Sequence, residues 1–240
     1  MSAMASSVED RTGGTAGDRL GAALRMQTID VVGCDVRVWI GALDHLAARA
    51  PSLEPLLGRE ERERVAALRV PEAAARYCAG RATLRALLGA ELGAEPSAIT
   101  LRIGAHGKPV LDEPWAGGGL CFNVAHSADV VAVAFSYAGD VGVDIERRRP
   151  IHSLERLAER ALSPGERALR ARWMAEGTSA LDAFLRAWTV KEARLKALGL
   201  PIGAGLSRDH PVARALPWKP LRVPLGADYF AAVAVSPARS

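Results

Sequence analysis

Apolar positions recur along this chain with two different periods. Over residues 29–40 Val, Ile and Trp alternate with polar positions, the pattern of a half-buried strand. Residues 59–69 and 72–92 carry helical spacing; in the second segment Tyr77, Leu84 and Leu88 share one stripe, while Arg76, Arg81 and Arg85 fill other faces. Gly80 inside that helix predicts close packing. Short strands follow over 99–103 and 120–124, the first ending in a turn at 104–107 and the second at Ala125, His126 and Ser127. Residues 129–143 read as a hairpin. Its first arm is apolar on both faces, with Val131, Val133 and Phe135 alternating with Val130, Ala132 and Ala134, and Ala138-Gly139-Asp140 turns the chain into a return strand over 141–146. Beyond Pro150 the period becomes helical over 154–162, 164–173 and 181–198, the last segment ended by Gly199 and Pro201, and residues 229–235 form a closing strand.

Strands and helices are mixed without strict alternation, and no repeat or Gly-rich phosphate loop occurs, which predicts an α+β fold rather than a doubly wound sheet. Residues 1–27, rich in Ser, Gly, Thr and Ala without an apolar period, read as a flexible leader. The turn near residues 138–140 divides the rest into an N-terminal half, 28–138, and a C-terminal half, 139–240. With 240 residues, 49% of them hydrophobic, the chain can bury one large core or two small ones. Its longest apolar run, residues 229–235, falls well short of the ~20 residues of a membrane span, and its first ten residues lack the apolar stretch of a signal peptide, so a cytoplasmic protein is expected. Cys34, Cys78 and Cys121 are scattered and odd in number, which predicts free thiols and no zinc knuckle. The net charge of +4 suits an acidic partner. Nucleic acid is not expected, because only 5% of residues are aromatic and the Trp residues are scattered.

The chemistry concentrates in two segments. In Val141-Gly142-Val143-Asp144-Ile145-Glu146 the period of two puts three aliphatic residues on one face and Gly142, Asp144 and Glu146 on the other. Taken alone, that face is equally an exposed acidic edge balanced by Arg147, Arg148 and Arg149; Gly142 favours a site, since a missing side chain leaves room for a ligand. In the helix over 181–198 the apolar stripe runs through Leu181, Phe184, Leu185, Trp188 and Leu195, and Glu192 falls in its middle. A carboxylate there is costly unless paired or metal-bound, and Lys196 one turn on lies at the edge of the same face. Asp144, Glu146 and Glu192 together make a hard oxygen donor set suited to Mg²⁺ or Mn²⁺ and to phosphate chemistry. His126 and Lys108, in Gly107-Lys108-Pro109, read either as turn residues or as phosphate contacts.

Phe122-Asn123-Val124-Ala125-His126-Ser127, Gly142-Val143-Asp144-Ile145-Glu146, and Trp188-Thr189-Val190-Lys191-Glu192-Ala193-Arg194-Leu195-Lys196 resemble, in order and spacing, the signature blocks of the Sfp-type 4′-phosphopantetheinyl transferases, with Gly107-Lys108-Pro109 as a weaker fourth. The resemblance spans about residues 29–234. It implies two similar α+β halves related by a pseudo-twofold axis, with coenzyme A in the cleft between them. It assigns Asp144, Glu146 and Glu192 to the metal and Lys196 to the coenzyme A pyrophosphate. Lys108 and His126 match contacts to the nucleotide phosphates, Arg76 the 3′-phosphate ligand, and Arg64 and Arg62 further coenzyme A contacts. The implied reaction is Mg²⁺-dependent attack of a carrier-protein serine on the β-phosphate of coenzyme A. Glu192 takes the serine proton, directly or through a water on the metal, and Lys196 supports the departing adenosine 3′,5′-bisphosphate. The implied partners are acyl and peptidyl carrier proteins of fatty acid, polyketide or nonribosomal peptide assembly, served by a monomer. The alternative is a non-catalytic module of the same fold that binds coenzyme A or a carrier protein. Two departures stand out. Ala125 replaces a usual Ser, which implies one lost phosphate contact worth on the order of 1 kcal/mol, and Pro201 interrupts a usual Gly-rich turn.

Overall fold

The computed structural model describes residues 24–104, 107–200, 215–226 and 228–237. Most of the expected leader and Pro201 lie outside the described residues. In chain order the elements are β1 (Leu24–Val31), β2 (Cys34–Ala42), α1 (Leu43–Ala47), α2 (Ala50–Leu53), α3 (Arg59–Ala67), α4 (Pro71–Leu92), β3 (Leu101–Ile103), β4 (Pro109–Leu111), β5 (Cys121–Ser127), β6 (Val130–Ser136), β7 (Gly139–Arg147), α5 (Leu154–Ala161), α6 (Pro164–Ala175), α7 (Ala180–Ala197), β8 (Trp218–Pro220) and β9 (Tyr229–Pro237). The fold is α+β, as expected.

Antiparallel strands β1-β2-β6-β5 form one sheet and β7-β9-β8 another, with β3 and β4 paired separately. The two larger sheets pack face to face. Val36, Val38 and Ile40 of β2 and Val130, Ala132 and Ala134 of β6 meet Val141, Val143 and Ile145 of β7 and Val233 and Val235 of β9 in one apolar layer. The alternate residues of β6, Val131, Val133 and Phe135, turn the other way onto α4 and the short helices around it. Every residue of β6 is therefore buried, as its double-sided apolar pattern requires. Behind the second sheet, Val190, Ala193 and Ala197 of α7 pack on Ala232 and Ala234 of β9, giving helix, sheet, sheet and helix in successive layers.

Local chemistry sets the ends of these elements. Helix α6 begins with a capping box in which Ser163 and Glu166 exchange hydrogen bonds with each other's backbone, α7 begins at Ser179, whose hydroxyl accepts from Asp182 N–H at 3.1 Å, and Gly93 ends α4 in the left-handed region.

The structure corrects five expectations. The strand over 29–40 is two strands joined at Val32-Gly33, and Val32, apolar but 75% exposed, disguised the turn. The first strand starts at Leu24, inside the segment read as leader. The hairpin over 129–143 does not exist: β6 pairs with β5 through the Ala128-Asp129 turn, whereas β7 pairs with β9, so the segment after Ser136 crosses from one sheet to the other. Residues 125–127 belong to β5 instead of following a strand. Finally, Gly80 has no tight neighbour. The close approach in α4 is at Gly89, where a side chain would press on the Ala94 carbonyl at 2.8 Å.

Candidate active site

Gly142 determines how the site is built. A Cβ at this position would collide with the Ala193 carbonyl and the Ala197 amide, so α7 lies directly on the backbone of β7. The space beside the two acids that the sequence suggested for a ligand is filled by the helix itself. This close approach brings Glu192 and Lys196 down onto the Asp144 face of the strand, while Val141 and Ile145 face the apolar layer between the sheets.

Asp144 and Glu192 are 5% and 4% exposed. Lys196 Nζ donates to Asp144 Oδ1 at 2.6 Å, and Asp144 Oδ2 and Glu192 Oε1 are buried without a hydrogen-bond partner. Lys196 is committed to Asp144 and Lys191 is bonded to Glu166, so the negative charge of the two buried carboxyls is only partly offset. Burial, opposed by Lys196, pushes Asp144 up to about 6; burial and the Asp144 charge push Glu192 up to about 7. Glu146, at the rim, adds to both shifts. Its two oxygens are engaged: Ser127 donates to Oε2 at 3.1 Å and the Trp188 indole to Oε1 at 3.3 Å.

Among the described residues, no three His, Cys, Asp or Glu side chains stand together closely enough to hold a metal. The expected set of Asp144, Glu146 and Glu192 is thus gathered but not closed, because Lys196 lies on Asp144 and Glu146 is held by Ser127 and Trp188. The two partnerless carboxyl oxygens are nonetheless what a hard divalent cation requires, so the residues fit such an ion.

The other predicted residues scatter around this centre. Lys108 Nζ donates at 3.2 Å to the carbonyls of both Val141 and Lys196, tying the start of β7 to the end of α7, and burial pulls its ammonium down. His126 is exposed on β5, and Arg64 is exposed on α3. Arg76 is already engaged by Asp44 and the Ala128 carbonyl, and Arg62 by the Leu57 carbonyl. Ala125 is 4% exposed and packs with Val143 and Ile145, so its side chain faces the core and no phosphate.

Sequence reasoning missed a cavity of about 840 Å³ lined by Arg59, Tyr77, Arg81, Arg102, Gly107 and Pro109. The signal was the arginine face of α4, which spacing alone could not connect to the loop around Lys108. Also missed was a smaller pocket of about 210 Å³ beside Glu146, walled by Ile151, Leu157, Phe184 and Trp188.

Residues 140–225, which include Asp144, Glu146, Glu192 and Lys196, match the family model of the 4′-phosphopantetheinyl transferase superfamily. The chain is 36% identical over 165 residues to the 4′-phosphopantetheinyl transferase HetI of Nostoc sp., covering 69% of each protein. It is 36% identical over 177 residues to the phosphopantetheinyl transferase of Thraustochytrium sp., covering 70% of this chain and 61% of the relative. To the human L-aminoadipate-semialdehyde dehydrogenase-phosphopantetheinyl transferase it is 28% identical over 181 residues, covering 71% and 56%. The family model over residues 140–225 and relatives matched over most of this chain establish that it belongs to the 4′-phosphopantetheinyl transferase superfamily.

Proposed function

We propose that this enzyme transfers the 4′-phosphopantetheine arm of coenzyme A to a serine of acyl or peptidyl carrier proteins, acting as a cytoplasmic monomer. The observation that carries the reading is the pair of buried, incompletely partnered carboxyls, Asp144 and Glu192, beside Lys196. A divalent cation, Mg²⁺ or Mn²⁺, held by Asp144 and Glu192 with Glu146 at the rim, would neutralise pyrophosphate charge.

The chain's own residues then act as follows. The carrier serine oxygen bonds to the β-phosphorus of coenzyme A, and the bond from that phosphorus to the bridging oxygen breaks, releasing adenosine 3′,5′-bisphosphate. Glu192 accepts the serine proton. Lys196 exchanges Asp144 for the departing phosphate oxygen and stabilises its charge.

The sheet-on-sheet layering, with a helix outside each sheet, supports two similar halves divided near residue 138 and related by a pseudo-twofold axis, with coenzyme A between them. Lys108 supports the nucleotide end at one remove. Its neighbours Gly107 and Pro109 line the large cavity, where Arg59 offers a cation to phosphate while Tyr77 offers a ring to the base. Arg64 and His126 remain open to phosphate, whereas Arg76 would first have to release Asp44. The net charge of +4 suits carrier domains, which present acidic helices.

Intact-mass spectrometry of an apo carrier protein incubated with this enzyme, coenzyme A and Mg²⁺ tests the proposal. The expected result is a gain of one phosphopantetheine arm that chelator abolishes. No gain across several carrier proteins, with tight coenzyme A binding retained, would instead identify a non-catalytic module.

A further inference from the structure

The two large sheets meet along β5 and β7, yet the two strands are not backbone-paired: among the described residues β5 pairs with β6 alone, and β7 with β9 alone. Side chains take the place of that ladder. Asn123 Oδ1 accepts from Val143 N–H at 3.0 Å, and Ser127 Oγ accepts from Arg147 N–H at 3.0 Å. Both pairs are 20 residues apart, so β5 and β7 run parallel and in one register, with side-chain oxygens standing where carbonyls would otherwise stand.

We propose that Asn123 and Ser127 are positioning residues: they hang β7 on β5 in the one register that turns Asp144 and Glu146 toward Glu192. The inference rests on the reading of these acids as the metal-binding carboxylates. A slip of one residue would send Val143 and Ile145 against α7 and drive Asp144 and Glu146 into the apolar layer. Val143 is fully buried, so without Asn123 its N–H would be left unpaired away from water.

Ser127 does more than hold register. Its oxygen accepts from Arg147 N–H, which leaves the hydroxyl proton for Glu146 Oε2, so one side chain couples the position of the strand to the orientation of a carboxylate. The hairpin turn that follows is itself pinned: Arg76 donates to the Ala128 carbonyl, Leu43 N–H to the Asp129 carbonyl at 2.5 Å, and the Tyr229 hydroxyl to the Asp129 carboxylate. Ala128 holds a left-handed φ of 50° there, a conformation that a non-glycine residue keeps only when its surroundings enforce it. Ser127 is therefore a fixed point from which Glu146 can be aimed.

The test uses the full-length protein without metal and has two readouts. Amide hydrogen exchange at Val143 and Arg147 reports the side-chain ladder, and titration with Mn²⁺ followed by electron paramagnetic resonance reports the carboxylates. Asn123→Ala should speed exchange at Val143, and Ser127→Ala at Arg147, by about 10-fold or more. Ser127→Ala should also weaken Mn²⁺ binding about 10-fold, and Ser127→Thr, which keeps the hydroxyl, should restore both. Unchanged exchange at both amides overturns the ladder. Faster exchange with wild-type Mn²⁺ affinity overturns the positioning role, leaving a structural one. If the wild type binds no Mn²⁺, the metal reading fails and the positioning claim with it, while exchange still decides whether the ladder exists. Should Asn123→Ala fail to fold, the Ser127→Ala and Ser127→Thr pair carries the test alone.

Discussion

Glu61 on α3 and Glu192 on α7 are both helical carboxylates, 6% and 4% exposed, yet their surroundings are opposites. Glu61 is saturated. Arg81 donates to its Oε1 at 2.5 Å, Arg85 and the Gly58 N–H both donate to its Oε2, and Arg85 goes on to the carbonyls of Pro96 and Ile99 at 2.8 Å. Glu192 has a partnerless oxygen, a second acid beside it and a lysine committed to that acid. A closed set of hydrogen bonds ties α3, α4 and the loop after α4 together. An open set stores unmet demand for positive charge, which a ligand can supply.

The comparison breaks most sharply under substitution. Glu192→Gln should reduce transfer by about 10⁴-fold, roughly 5 kcal/mol of transition-state stabilisation, while the unfolding midpoint at pH 8 stays level or rises. The amide keeps the shape and removes a charge that Asp144 opposes. Glu61→Ala should do the reverse. It strands the nearly buried Arg85 and should cost about 3 to 5 kcal/mol of stability, with turnover per folded molecule kept within a few-fold. Chemical denaturation beside the intact-mass assay measures both. A catalytically competent Glu192→Gln protein would show the open cluster to be as structural as the closed one.

Acidity sharpens the contrast further. Asp144 and Glu192 hold their protons more tightly in the folded chain, at about 6 and 7, than in the unfolded chain, where carboxyls titrate near 4. Folding therefore takes up protons between those limits. The stability contributed is complete below pH 4 and is lost as pH rises through 6 and 7, on the order of 4 kcal/mol between pH 5 and pH 8. Chelated protein should accordingly melt lower at pH 8 than at pH 6, and Glu192→Gln should flatten that slope. Added Mn²⁺ should flatten it as well, by favouring the ionised carboxylates. A slope equal in wild type and variant would detach the pH dependence from this pair.

Much of this site was legible in the chain because it follows from periodicity. The period of two in β7 placed Asp144 and Glu146 on one face, and the helical stripe marked Glu192 as a carboxylate where an apolar residue belongs. What stayed hidden depends on partners distant in sequence. Gly142 reads from the sequence as room for a ligand, and only the path of α7 shows that a helix fills that room. Strand partners were illegible for a similar reason: the alternation in β6 and β7 fits a hairpin as well as it fits two facing sheets, and what separates the readings is the pairing of β7 with β9, some ninety residues later. Asn123, the single asparagine of the chain, carries no sign of its role in the sequence, because its partner, the Val143 amide, is invisible in any side-chain pattern.

The smallest predicted effect falls between the two clusters, at a position neither open nor closed. In the β5–β7 register Ala125 lies midway between Asn123 and Ser127, opposite Ile145, and its methyl packs in the layer between the sheets. If the residue here served a phosphate, Ala125→Ser would tighten coenzyme A, lowering its KM severalfold. The structure predicts instead that KM is unchanged, since the side chain packs in the apolar layer between the sheets and is 4% exposed. The hydroxyl can add a middle rung to the ladder but must also satisfy its own proton among aliphatic neighbours. The two terms nearly cancel, so the change in stability should stay below about 1 kcal/mol in either direction. Initial rates over a range of coenzyme A concentrations, set beside denaturation of the same variant, separate the cases: a lower KM at constant stability restores the phosphate contact, and constant KM places Ala125 in the scaffold that carries the acids.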